Sequence, residues 1–132
     1  MARILVIEDD PTIRANLARV LRFENHEVIV AEDGQLGLQA ARSELPQLIL
    51  CDIMMPRMDG IAVLNALRPD PKLSTIPFVF LTARADRAEV EANLTFAADD
   101  YLIKPFNLQE LLATVNRQLE NQKRLYGLSD TR

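Results

Sequence analysis

The chain has 132 residues, of which 48% are hydrophobic and 26% charged, and its formal net charge is −4. That length suits one domain around one core rather than two, and the composition fits neither a membrane-spanning helix nor a disordered chain. An acidic balance with both signs dispersed argues against a phosphate-backbone-binding surface, so no direct nucleic-acid contact is expected.

In chain order, Met1-Ala2-Arg3 runs straight into the first apolar run, Ile4–Ile7. This leaves no room for a signal peptide, so a cytoplasmic protein with no membrane attachment is expected. Asp10-Pro11 then supplies an N-cap and an N1 proline for a first helix with Ile13, Leu17, Val20 and Leu21 on one stripe. The second run, Val28–Ala31, precedes a helix opened by Asp33-Gly34, whose Leu38, Ala41 and Leu45 share a face before Pro46. The third run, Leu48–Cys51, is followed by a helix opened by Asp59-Gly60 and ended by Pro69. After a rigid turn at Pro69-Asp70-Pro71 comes the fourth run, Phe78–Leu81, and then a capping-box pattern at Asp86-Arg87-Ala88-Glu89 for helix four. The fifth run is Tyr101–Ile103, and Asn107-Leu108-Gln109-Glu110 caps helix five, which continues past Val115 through Leu119 and Gln122 to Tyr126. Gly127-Leu128-Ser129-Asp130 reads as its stop. The first, third and fourth runs are almost continuously apolar, as strands covered on both sheet faces must be. The expected fold is α/β, a doubly wound parallel (βα)5 sheet.

In such a sheet, ligands bind beyond the carboxyl ends of the strands. Four polar endings meet at that edge: Glu8-Asp9-Asp10 after strand one, Asp52 after strand three, Thr82 after strand four and Lys104 after strand five. Carboxylates gathered together repel unless a cation neutralises them, and Mg²⁺ fits an oxygen-only set with no His/Cys cluster. Asp52 can then act as a carboxylate nucleophile on phosphorus, with Mg²⁺ and the Lys104 ammonium stabilising charge on the transferring oxygens. Thr82 can donate a hydroxyl hydrogen bond to the product.

At these residues the chain resembles the receiver domain of two-component response regulators, including the chemotaxis-regulator type. The resemblance spans about Arg3 to Leu119, with residues 120–132 left as a continuation of the last helix and a tail, or a linker to an output domain. It rests on Glu8-Asp9, Asp52-Ile53-Met54-Met55-Pro56-Arg57-Met58-Asp59-Gly60, Leu81-Thr82-Ala83 and Ala98-Asp99-Asp100-Tyr101-Leu102-Ile103-Lys104-Pro105-Phe106. It implies a flavodoxin-like fold with strand order 2-1-3-4-5, and phosphoryl transfer to Asp52 from a phosphohistidine on a sensor histidine kinase or phosphotransfer protein. It implies Mg²⁺ held by Asp9, Asp52 and the Met54 carbonyl, with Glu8 acting through metal-bound water. Further implications are a phosphoryl contact from Lys104, a cis Lys104-Pro105 bond, and a switch in which Thr82 moves and Tyr101 rotates into the space it vacates. The face of helix four, strand five and helix five would then meet an effector domain, a partner or a second copy.

Two departures bear on that face. Ala97 stands where the family usually has glycine, and together with Thr95 and Phe96 it implies a shorter or more mobile helix four. Thr114 stands where DNA-binding regulators of the winged-helix class commonly carry an arginine, which weakens the case for their symmetric dimer contact. Other residues read plainly: His26 as a solvated turn residue, Cys51 as a small buried hydrophobe, Met54, Met55 and Met58 as loop packing. Arg84 reads equally as a surface arginine and as a residue governing water access to the phosphoryl group. Two other functions remain as alternatives: a phosphorylation-independent interaction domain, which should have lost an acidic residue or Lys104, and a Mg²⁺-dependent phosphatase, which would need a further acid-base residue.

Overall fold

The computed structural model describes residues 2–83 and 98–130. Five strands, β1 (Arg3–Ile7), β2 (Glu27–Ala31), β3 (Leu48–Asp52), β4 (Phe78–Ala83) and β5 (Asp100–Lys104), form one parallel sheet in the order β2-β1-β3-β4-β5. This is the flavodoxin-like arrangement, and the sequence order reverses between β1 and β3. Along β1, β3 and β4, side chains alternate between two cores. Leu5, Ile7, Ile49, Cys51, Phe78 and Phe80 face one way, with Val63, Leu64 and Leu67 packed on them. Ile4, Val6, Leu48, Leu50, Val79 and Leu81 face the other, covered by Leu17, Leu21, Leu111 and Val115. Two buried faces explain why these runs show no polar alternation.

The helices begin where side-chain oxygens meet free backbone N–H groups. In α1 (Pro11–Phe23) Asp10 accepts from the Thr12 and Ile13 amides; in α2 (Gly34–Glu44) Asp33 accepts from Leu36; in α3 (Gly60–Leu67) Asp59 accepts from Ala62. Asn107 and Glu110 bond reciprocally, Asn107 Oδ1 to the Glu110 amide at 2.7 Å and Glu110 Oε1 to the Asn107 amide at 3.0 Å. That capping box opens the C-terminal helix, Leu108–Asp130.

The structure corrects four expectations. Leu45 does not share the buried face of α2: it is the C-cap, with φ 46°, and 50% exposed. Pro46 disfavours helical backbone at the residue before it, which turns Leu45 outward. The C-terminal helix does not stop at Gly127 but runs through the whole Gly127–Asp130 stretch; one glycine weakens a helix without having to end it. His26 is half-buried, and its Nδ1 accepts the Ala2 amide at 3.2 Å, while burial lowers its pKa. Of the three loop methionines, Met55 and Met58 pack inward, but Met54 is 65% exposed. The expected capping box at Asp86–Glu89, together with Arg84, Thr95, Phe96 and Ala97, lies outside the described residues.

Candidate functional site

The sheet brings the polar strand endings to one edge. Leu81 of β4 pairs with Asp52 of β3, and Thr82 and Ala83 pair with Ile103 and Lys104 of β5. Beyond β1, Glu8 donates its amide to the Ala31 carbonyl at 3.0 Å, which fixes the acidic turn to the end of β2. Arg14, one turn into α1, donates to the Glu8 carbonyl at 2.9 Å and the Asp9 carbonyl at 3.5 Å. The sequence reading passed over this arginine; its place one turn after the acidic run was the only signal.

The carboxylates of Glu8, Asp9 and Asp52 converge, with one oxygen from each within 4.8 Å of the others. Glu8 and Asp52 are buried and Asp9 is exposed, so the cluster opens to solvent on one side. Lys104 Nζ enters from β5 and donates to Glu8 Oε1 at 2.9 Å, while standing 3.2 Å from Asp52 Oδ2. The Lys104-Pro105 peptide bond is cis. Burial pushes the Glu8 pKa up to about 7, against the opposing pull of Lys104 and of the Asp10 amide, with the charge of Asp52 adding to the rise. Burial lowers the Lys104 pKa in turn, but its hydrogen bond to Glu8 and the charges of Asp52 and Glu8 outweigh it and leave the ammonium above its ordinary range. A fully buried carboxyl, a nearly buried one and an exposed one, all with oxygen donors and one cationic neighbour, suit a hard divalent ion that keeps part of its water.

Thr82 is fully buried, and its hydroxyl donates to the Ala83 carbonyl at 3.1 Å rather than into the acidic cluster. Tyr101 is half-buried and packs against the core on the α2 and α3 side of the sheet. Met54 lies two residues beyond Asp52 with its side chain turned to solvent. Beside Lys104 an apolar groove of about 570 Å³ runs between α1 and the start of the C-terminal helix, lined by Ile13, Leu17, Phe106, Leu108 and Leu111. At the opposite end of β5, Asp100 accepts from Arg117 and, at 3.3 Å, from Gln118, and Thr114 is buried beside them.

The family model of the response regulator receiver domain matches residues 4–116. The chain belongs to the response regulator receiver family. This receiver domain is 43% identical over 121 residues to the DNA-binding response regulator MtrA of Mycolicibacterium smegmatis, a match covering 92% of this chain and 52% of that protein. It is 35% identical over 122 residues to the response regulator ArlR of Staphylococcus saprophyticus, covering 92% of this chain and 54% of the other. The chain thus spans about half the length of the curated relatives it matches. Among solved structures, a response regulator receiver domain protein from Clostridium thermocellum superposes with a TM-score of 0.88 at 26% identity, covering 95% of this chain and 99% of that one. The chemotaxis protein CheY4 of Vibrio cholerae gives 0.83 at 30% identity, covering 89% and 98%. The receiver domain is therefore a signalling module of two-component systems, and among its described residues no helix is long and apolar enough to cross a membrane.

Proposed function

We propose that this receiver domain is switched by phosphorylation of Asp52. The observation that carries the reading is the placement of Asp52 Oδ2 3.2 Å from the Lys104 ammonium, within the cluster it forms with Glu8 and Asp9. An Asp52 carboxylate oxygen attacks the phosphorus of a phosphohistidine on a sensor kinase or phosphotransfer protein. The O–P bond forms as the P–N bond breaks, and the electron pair leaves with the imidazole nitrogen, which takes a proton. Asp9, Asp52 and the Met54 carbonyl would hold Mg²⁺, with Glu8 acting through a bound water. When bound, the ion neutralises charge on the transferring phosphoryl oxygens.

Lys104 holds one phosphoryl oxygen after transfer. Thr82 exchanges its bond to the Ala83 carbonyl for one to the phosphoryl group, and Tyr101 moves into the space released. The domain catalyses only its own phosphorylation and dephosphorylation, and works in the cytoplasm. The apolar groove beside Lys104 offers the donor protein a seat next to the acceptor. Output would pass through the face of β5, the C-terminal helix and the helix four expected from the sequence, to an effector domain, a partner or a second copy. With a net charge of −4 this domain is not the part we assign to nucleic-acid contact, whatever its relatives named as DNA-binding do. We place the receiver at residues 1–119, with 120–132 as helix continuation and linker. All three acidic residues and Lys104 are present, which disfavours a phosphorylation-independent role.

Treating wild type and Asp52→Asn with acetyl phosphate and Mg²⁺, then measuring intact mass, tests the reading. Wild type should gain one phosphoryl group that hydroxylamine removes, and the variant none. An unmodified wild type would overturn it.

A further inference from the structure

The loop between β3 and α3, residues 53–59, joins Asp52 to α3 and carries Met54. It is held from the side by the N-terminus of α2. Asp33 divides its carboxylate between two tasks: Oδ1 accepts the Leu36 amide at 2.8 Å, capping α2, and Oδ2 accepts from Arg57 Nη1 at 3.2 Å. The Asp33 side chain is only 8% exposed, so one end of this ion pair is anchored in the protein while Arg57, 67% exposed, reaches in from the loop. Arg57 has φ 68°, a left-handed backbone that a residue with a side chain seldom adopts unless its surroundings hold it there. Its neighbour Met58 donates to the Pro56 carbonyl at 2.7 Å and lays its own carbonyl against Gly34, where a Cβ would lie 2.2 Å from that oxygen. Asp33 and Gly34 therefore grip two successive loop residues, one by charge and one by close backbone approach.

We infer that Asp33 and Arg57 form a latch that positions the β3–α3 loop, and with it the Met54 carbonyl, for the cation of the acidic site. The inference rests on the reading of that site given under Proposed function. Neither residue belongs to the acidic cluster; both act through the loop, as outer partners of metal ligands commonly do. The rival explanation is a field effect of two charges near a cation site, and its signs differ. By field alone, losing the Arg57 cation tightens Mg²⁺ binding and losing the Asp33 anion weakens it. A latch weakens binding in both cases.

The experiment is a calorimetric Mg²⁺ titration of the 132-residue chain as wild type, Arg57→Ala, Arg57→Lys, Asp33→Asn and the Asp33→Asn/Arg57→Ala double variant. Asp33→Asn keeps an oxygen to cap α2, so the helix is retained. The latch predicts that Arg57→Ala and Asp33→Asn each weaken Mg²⁺ binding roughly tenfold. The double variant should be no weaker than either single one, Arg57→Lys should recover part of the loss, and the cation-free unfolding temperatures should stay close to wild type. Arg57→Ala that binds Mg²⁺ as tightly as wild type, or more tightly, overturns the latch alone. A wild type that binds no Mg²⁺ overturns the reading of the site and the latch with it.

Discussion

Glu8 is fully buried beside an ammonium it bonds at 2.9 Å, yet burial still carries its pKa from the ordinary 4.5 to about 7. Because the folded value lies above the unfolded one, folding favours the protonated form. The associated stability is fully present below pH 4.5 and is lost as pH rises through about 7. The cation-free domain should therefore show a falling urea midpoint across that window, and Glu8→Gln should flatten the fall; a midpoint that rises with pH in wild type would contradict this. Lys104 pulls against the shift. Lys104→Gln should accordingly move the Glu8 titration, followed by carboxyl carbon NMR, to higher pH.

At the scale of elements, α3 matters because its first residue touches the site. A Cβ on Gly60 would lie 2.3 Å from the Asp52 carbonyl oxygen, which is backbone and cannot swing aside. Gly60→Ala should thus displace the end of β3 and weaken Mg²⁺ binding well beyond its effect on helix propensity. Leu64→Ala, on the buried face of α3, should instead cost about 2–5 kcal/mol in urea unfolding while sparing Mg²⁺ affinity. The contrast follows from what each residue packs against. The strands were legible in the sequence because burial on two faces writes itself as unbroken apolar runs, as in Leu48–Cys51. Glu8, Asp9, Asp52, Thr82 and Lys104 were legible as a group because parallel topology gathers strand ends at one edge. The pairing of Asp33 with Arg57 was not, since a contact across 24 residues of sequence leaves no periodicity; Arg14 was not because a lone arginine in the first turns of a helix reads as a solvated charge, although its carbonyl partners lie only five and six residues away. Leu45 was misplaced because apolar spacing was read right up to the proline, into the residue that caps the helix, and Met54 because a loop has no period to show which side faces inward.

Across the whole molecule, the C-terminal helix outruns the sheet. Gln118 is buried and Leu119 half-buried against the core, whereas Glu120 and Asn121 are exposed. A chain ending at Leu119 should therefore keep its unfolding temperature within a few degrees and its acetyl phosphate labelling unchanged; loss of either would move the domain boundary outward. In the proposed switch, the resting bond of Thr82 limits what that residue can contribute when a phosphoryl group reaches Asp52. Moving an equilibrium from about 1:99 to about 99:1 needs roughly 5.5 kcal/mol of preference for one state. Thr82 already commits its proton to the Ala83 carbonyl, so turning to an anionic oxygen, as proposed, would gain only the surplus of a charge-assisted bond over a neutral one, about 1 kcal/mol. Relaxation dispersion on the phosphorylated domain should then still detect exchange at Thr82 and Tyr101, quenched only when an output partner binds. On that proposal modification would tilt a population, and an output partner would supply the rest of the free energy that completes it.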